Sequence, residues 1–144
     1  MSLRHFLFIV MVVGSMAYGV SNARADDEEK TYKGIAYACA GVGDSKEDPK
    51  WKAYALKLMF TAGSRAYVSQ VEVSLQDSSG AEVLKVNCDA PWLLAKLKPG
   101  SYSVTARADG GGVKTAKVTV GASGQSELAI RFPAIPEGKG SDTY

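Results

Sequence analysis

The chain has 144 residues, with 17 Lys+Arg against 15 Asp+Glu, and its one histidine is His5. So small a positive excess argues against recruitment to nucleic acid or to an anionic membrane, both of which attract proteins through excess basic charge. The length suits one domain around one core.

The first 25 residues read as a secretory signal peptide. Arg4 and His5 make a basic start, Phe6 to Val13 is an apolar run that weakens toward Val20, and Ala23-Arg24-Ala25 places small residues at the −3 and −1 positions. The apolar run is short of the about 20 residues that a membrane-spanning helix needs. A lipid anchor would need a cysteine directly after it, and Cys39 lies beyond a charged segment. Cleavage after Ala25 predicts a periplasmic or secreted protein with no transmembrane segment. Taking Arg4 and Arg24 from the 17 basic residues leaves 15 against 15 acidic, and no histidine.

After the acidic run Asp26 to Glu29, residues 26–53 read as polar and irregular, broken by Gly34, Gly41, Gly43 and Pro49, with one short helical turn in 44–52. From residue 54 the apolar period becomes two. Tyr54, Leu56, Leu58 and Phe60 alternate with Ala55, Lys57 and Met59. Val71, Val73 and Leu75 follow, then the turn Asp77-Ser78-Ser79-Gly80, then Leu84, Val86 and Cys88. Trp92 to Leu97 is extended, and Lys98-Pro99-Gly100 reverses the chain. Tyr102, Val104 and Ala106 precede the loop Asp109 to Gly112; Ala116, Val118 and Val120 precede a turn at Gly121 to Gly124; Leu128, Ile130 and Phe132 close the series.

Seven short strands at about ten-residue spacing predict an all-β, antiparallel two-sheet sandwich over 54–132. Residues 133–144 read as a disordered tail. Cys39 and Cys88 form an even pair in an exported chain and predict one disulfide. It would close a loop of about 50 residues and stabilise by about 4 kcal/mol.

Leu97-Lys98-Pro99-Gly100-Ser101-Tyr102-Ser103-Val104 has the form Leu-x-Pro-Gly-x-Tyr-x-Val. A strand pair joined by a Ser-Ser-Gly turn precedes it, and a glycine-rich hairpin into Lys114 to Val120 follows. The segment 54–132 resembles the carboxypeptidase regulatory-like domain, a transthyretin-like (prealbumin-like), Ig-like β-sandwich, in a form similar to stand-alone exported versions of bacterial envelopes. The resemblance implies an adhesive, structural or binding module and says little about a ligand.

The missing histidine excludes several activities. Transthyretin-like hydrolases of a purine-breakdown intermediate rely on histidines, as do Ser-His-Asp and Cys-His sites and histidine-rich copper or zinc sites. Gly41-Val42-Gly43 lacks the Lys-Ser/Thr and the preceding parallel strand of a phosphate loop. Asp26 to Glu29, at a terminus, reads as solvated charge and not as a calcium site. Lys57 on the first strand has no Asn or Asp on the last strand with which to form an isopeptide bond. No cofactor is expected, and the protein is expected not to be an enzyme. Glu72, Asp77, Asp89 and Asp109 are the carboxylates from which a minor acid–base alternative would have to draw.

Aromatic residues in loop-like segments, Trp51, Tyr37 and Tyr67, either pack the irregular N-terminal segment onto the sandwich or, if exposed, are the candidates for partner contact. The expected function is a non-enzymatic binding or adaptor module of the periplasm or envelope, engaging a protein or a glycan through loops or an edge strand. The alternative is a structural or stress-related envelope protein with no dedicated ligand. An exposed aromatic patch would favour the first, an evenly polar surface the second, and two carboxylates facing one cleft the acid–base reading.

Overall fold

A computed structural model describes residues 28–63, 66–68 and 70–133 of the protein. The expected signal peptide, and the expected tail after Pro133, lie outside these residues. Ten strands follow in chain order: β1 Lys30–Tyr32, β2 Ile35–Ala40, β3 Leu56–Ala62, β4 Ala66–Tyr67, β5 Val71–Gln76, β6 Glu82–Cys88, β7 Trp92–Ala95, β8 Gly100–Ala108, β9 Gly112–Val120 and β10 Ser126–Phe132. Two 3₁₀ helices, Gly43–Glu47 and Pro49–Ala53, lie between β2 and β3. Sheet A has the order β1-β2-β7-β3-β10, with β4 also on β3; sheet B has the order β6-β5-β8-β9. The expected two-sheet, all-β sandwich is the architecture.

All seven strands expected from the alternating pattern are present. Two further strands correct the expectation of an irregular segment through residue 53. Lys33 and Gly34 both take positive φ, 46° and 83°, which is the two-residue turn that suits a twisted hairpin. That turn folds β1 onto β2, and β2 then pairs with β7, so sheet A extends N-terminal of residue 54. Between β2 and β3, residues 41–55 stay without strand structure.

A second correction concerns direction. Every other pair is antiparallel, but β3 and β10 run parallel, from Leu56↔Ser126 to Ala62↔Phe132. Strand β10 enters sheet A directly from β9 of sheet B. No hairpin joins it to β3, so no turn dictates its direction.

The main core lies between the sheets. Leu56, Leu58, Phe60, Leu93 and Phe132 from sheet A meet Val71, Val73, Leu75, Leu84 and Val104 from sheet B, all fully buried. A second apolar cluster sits on the outer face of sheet A. It joins Ala38, Ala40, Trp92 and Leu94 to Trp51 and Tyr54 of the covering segment 41–55. This explains why β7 shows no alternation: Leu93 and Ala95 face the main core, Trp92 and Leu94 face the second cluster, and all four are buried. A strand covered on both faces reads as a continuous apolar run.

Sequence features hold the cover in place. The Asp48 carboxylate accepts from the Lys50 amide at 2.9 Å, and Pro49 occupies the first turn. The Gln125 amide donates to the carbonyls of Trp51 and Tyr54, at 2.7 and 3.1 Å. Gly41 takes φ +102°, and a Cβ there would lie 2.7 Å from the Trp92 ring. The cover thus begins at a residue that only glycine can occupy without displacing the ring.

The Leu-x-Pro-Gly-x-Tyr motif also has a physical role. The Tyr102 hydroxyl donates to the Lys98 carbonyl at 2.7 Å, four residues upstream. This ties the reversal at Pro99-Gly100 to the start of β8, as corner tyrosines do in other β-sandwiches.

Candidate functional site

The disulfide pairs Cys39 with Cys88, with 5.5 Å between their Cα atoms. It joins β2 of sheet A to the end of β6 in sheet B, with both residues buried.

The three aromatic candidates do not form one patch. Trp51 is only 4% exposed and fills the second cluster, its ring centroid 5.9 Å from that of Tyr54. Tyr37 is half-buried and packs against the main core. Tyr67 pairs with Thr61 through β4, and its side chain lies outside the described residues. Tyr37 pairs with Ala95, which pairs with Leu56; Thr61 is five residues farther along β3, about 17 Å away at strand spacing. Among the described residues, the exposed large hydrophobic side chain is Val113, not an aromatic. Of the three, Trp51 marks packing of the cover.

The two sheets differ in what covers their outer faces. Segment 41–55 lies over sheet A, while the outer face of sheet B carries polar side chains in cross-strand rows. One row runs Asn87–Glu72–Arg107–Val113 across β6, β5, β8 and β9, as the register fixes. The next rows carry Lys85, Ser74, Thr105 and Thr115, then Gln76, Ser103 and Lys117.

The first row borders a cleft of about 550 Å³, lined by Gln70, Glu72, Asn87, Arg107, Asp109 and Val113 together with Ala108, Gly110 and Gly112. Each element places its side chains for a local reason. Alternation puts Glu72 and Arg107 outward because Val71, Val73, Ala106 and Ala108 face the core. Gln70 enters β5 at φ +60°, a left-handed conformation uncommon outside glycine. The β8–β9 hairpin turns through Gly110 and Gly112, both at positive φ, and brings Asp109 and Val113 to the rim. Glu72 and Arg107 are direct cross-strand partners yet form no ion pair. Among the described residues, none of the five polar side chains at this cleft makes a hydrogen bond.

Of the carboxylates singled out in the sequence, the cleft brings together Glu72 and Asp109, both exposed, and leaves out Asp77 and Asp89. Asp77 serves its own turn, accepting from the amides of Ser79 and Ala81 at 2.9 and 3.1 Å. Those bonds and the Ser79 hydroxyl hold its carboxyl below the usual carboxylate range. Gln70, Asn87, Arg107 and Val113 were missed by the sequence reading. The parity of Asn87 and Arg107 on their strands was visible, but the strand order that makes the four neighbours was not.

The cover has two smaller clefts, and their charges are largely satisfied. One, of about 290 Å³, is lined by Glu29, Lys50, Trp51, Tyr54 and Lys96. Here the Tyr54 hydroxyl donates to Glu29, which pairs with Lys96 at 2.9 Å. The bond from Tyr54 and the Lys96 ammonium hold the Glu29 carboxyl low; burial and the Glu29 carboxylate push the Tyr54 phenol up. The other cleft, of about 200 Å³, includes Lys57, Trp92, Gln125 and Glu127. Lys57 lies 3.7 Å from Glu127 and 3.7 Å from the centre of the Trp92 ring. The Trp92 indole N–H is buried without a hydrogen-bond partner among the described residues. Those residues contain no group of three or more Asp, Glu, Cys or His side chains arranged to hold a metal, and no helix long and apolar enough to cross a membrane.

No protein-family model matches the chain, and no curated protein matches it. Among solved structures, the chain is similar to the minor pilin of the Gram-positive pathogen Streptococcus agalactiae, at 15% identity and a TM-score of 0.49. The match covers 84% of this chain and 66% of the pilin chain.

Proposed function

We propose that the chain is an exported, non-enzymatic binding or adaptor module of a bacterial cell envelope, engaging a protein or glycan partner through the outer face of sheet B. One observation carries the reading. Five hydrogen-bonding side chains line one cleft on a face that no described segment covers, and none is engaged by another described residue. The buried disulfide supports export, because such bonds persist in oxidising compartments. The carboxypeptidase regulatory-like resemblance is part of this proposal and rests on the Leu97 to Val104 motif.

Two other readings have an observation each. Val113 stands alone as an exposed large hydrophobic among the described residues, which favours a structural protein with an evenly polar surface. Glu72 and Asp109 share the cleft, which is what a carboxylate-only enzyme would need. Both are solvent-exposed, on an open face with no enclosed site between them.

Site-specific photocrosslinking in cells tests the proposal. A crosslinking amino acid at Val113 should capture one dominant, saturable species, while the same group at Glu47 on the cover should not. Equal, diffuse background from both positions would reject the binding reading and leave the structural one.

A further inference from the structure

We infer that the cleft on sheet B takes a neutral, polyhydroxylated ligand, a short segment of an uncharged glycan. This rests on the binding reading above and specifies its ligand.

The charge pattern excludes polyions. Arg107 has Glu72 directly across on β5, and Asp109 lies two residues farther along the chain. One cation and two carboxylates cannot attract a polyanion. A polycation would meet Arg107 in the middle of the row.

The place of the cleft in the sheet excludes the common modes of peptide capture. Strand addition needs a free edge, but Glu72 and Arg107 stand on β5 and β8, the two interior strands of sheet B. Their backbone groups are already engaged on both sides. A helix needs an apolar groove, and a proline-rich segment needs an aromatic one. The apolar side chains here are Val113, 49% exposed, and the small, buried Ala108. A phosphorylated segment needs a cluster of arginines, and Arg107 is alone.

The five polar groups share one shape. Gln70, Asn87, Glu72, Asp109 and Arg107 all end in a planar fork that can make two parallel hydrogen bonds. Together they offer donors and acceptors in near balance. Adjacent hydroxyls of a sugar ring, each both donor and acceptor, complement such forks without adding charge. Val113 supplies an aliphatic surface for the C–H face of the ring. The volume, about 550 Å³, lies inside the about 300–1,000 Å³ range of small-molecule sites.

The test is an amide chemical-shift titration of the ¹⁵N-labelled, exported full-length protein. The probes are a panel of neutral oligosaccharides (cello-, malto- and chitohexaose), polygalacturonate, and an extended Ser/Thr decapeptide. Each is taken to about 10 mM, where a ligand of millimolar Kd saturates. The expected result is saturable shifts from a neutral oligosaccharide at Gln70, Asn87 and 107–113, with the cover unaffected. Arg107→Ala should weaken that binding at least tenfold while leaving the rest of the spectrum unchanged. Glu72→Gln, which keeps the fork, should weaken it less than Glu72→Ala. Shifts at the cleft from the peptide or polygalacturonate alone would overturn the ligand class and leave the binding face standing. Silence from every neutral probe would also overturn the class. Silence from all probes, with no crosslink at Val113, would sink the binding reading as well.

Discussion

Replacing Cys39 and Cys88 by alanine should lower the stability of the protein by about 4 kcal/mol, the chain-entropy value for a link across 49 residues. The position of the bond makes that value apply to the whole domain. Cys39 lies in sheet A, on the strand beside β7, and Cys88 ends an edge strand of sheet B. The link therefore restrains the separation of the two sheets. For about 100 ordered residues, 4 kcal/mol corresponds to a fall in Tm of about 15–20 °C. Thermal unfolding followed by circular dichroism, with and without reductant, measures it. Burial adds a kinetic signature: the sulfurs are sheltered, so dithiothreitol should cleave the bond slowly in native buffer and rapidly in urea. A fall below about 5 °C, or equally fast reduction under both conditions, would refute the reasoning.

Four further predictions follow from the packing. Gly41→Ala combines a left-handed backbone with a 2.7 Å clash against buried Trp92, and should cost about 2–4 kcal/mol in urea unfolding; a cost below about 1 kcal/mol would show that the ring can yield. Trp51→Ala should open the cover without opening the sandwich, because Trp51 belongs to the second cluster. Hydrogen exchange would then quicken in the cover and on the outer side of sheet A while β5 keeps its protection, and uniform loss of protection would contradict this. The Tyr54–Glu29 bond should hold over a broad middle range of pH. Glu29 is held low, so its contribution is present above the ordinary carboxylate range and lost as pH falls through its own pKa. Tyr54 is pushed up, so its contribution is present below about pH 10 and lost as pH rises through its own pKa. In Tyr54→Phe, the Glu29 titration followed by NMR should move up toward the ordinary value. Lys114 is an exposed charge on edge strand β9 opposite Ala106, and Lys114→Val should cause self-association visible by light scattering; a monodisperse variant would show that this charge does not guard the edge.

The period-two pattern determined a great deal. Leu56-Lys57-Leu58-Met59-Phe60 and Val71-Glu72-Val73-Ser74-Leu75 each bury one face fully and the other less, and that alternation alone specifies strands, hence sheets, hence a sandwich. The cysteine pair, in a chain whose first 25 residues read as an export signal, predicted the disulfide, because its chemistry depends on compartment more than on fold. What the sequence could not decide is which strands become neighbours. The hairpin β1–β2 turns on Lys33-Gly34, a weaker signal than Asn-Gly, and small alanines in β2 blur its period. The parallel docking of β10 on β3 joins residues about 70 apart, with no turn to announce it. Trp51, in a polar loop, allowed two readings, partner contact or packing onto the sandwich, and the outer face of sheet A decided for packing by offering it Trp92, Leu94 and two small alanines to cover. The cleft was hidden for the same reason. Gln70, Glu72, Asn87, Arg107 and Asp109 come from three separate stretches of chain, and only the strand order β6-β5-β8-β9 sets them side by side. Local alternation is a property of each strand, while adjacency between strands is set by long-range packing, and the candidate site is built from the second.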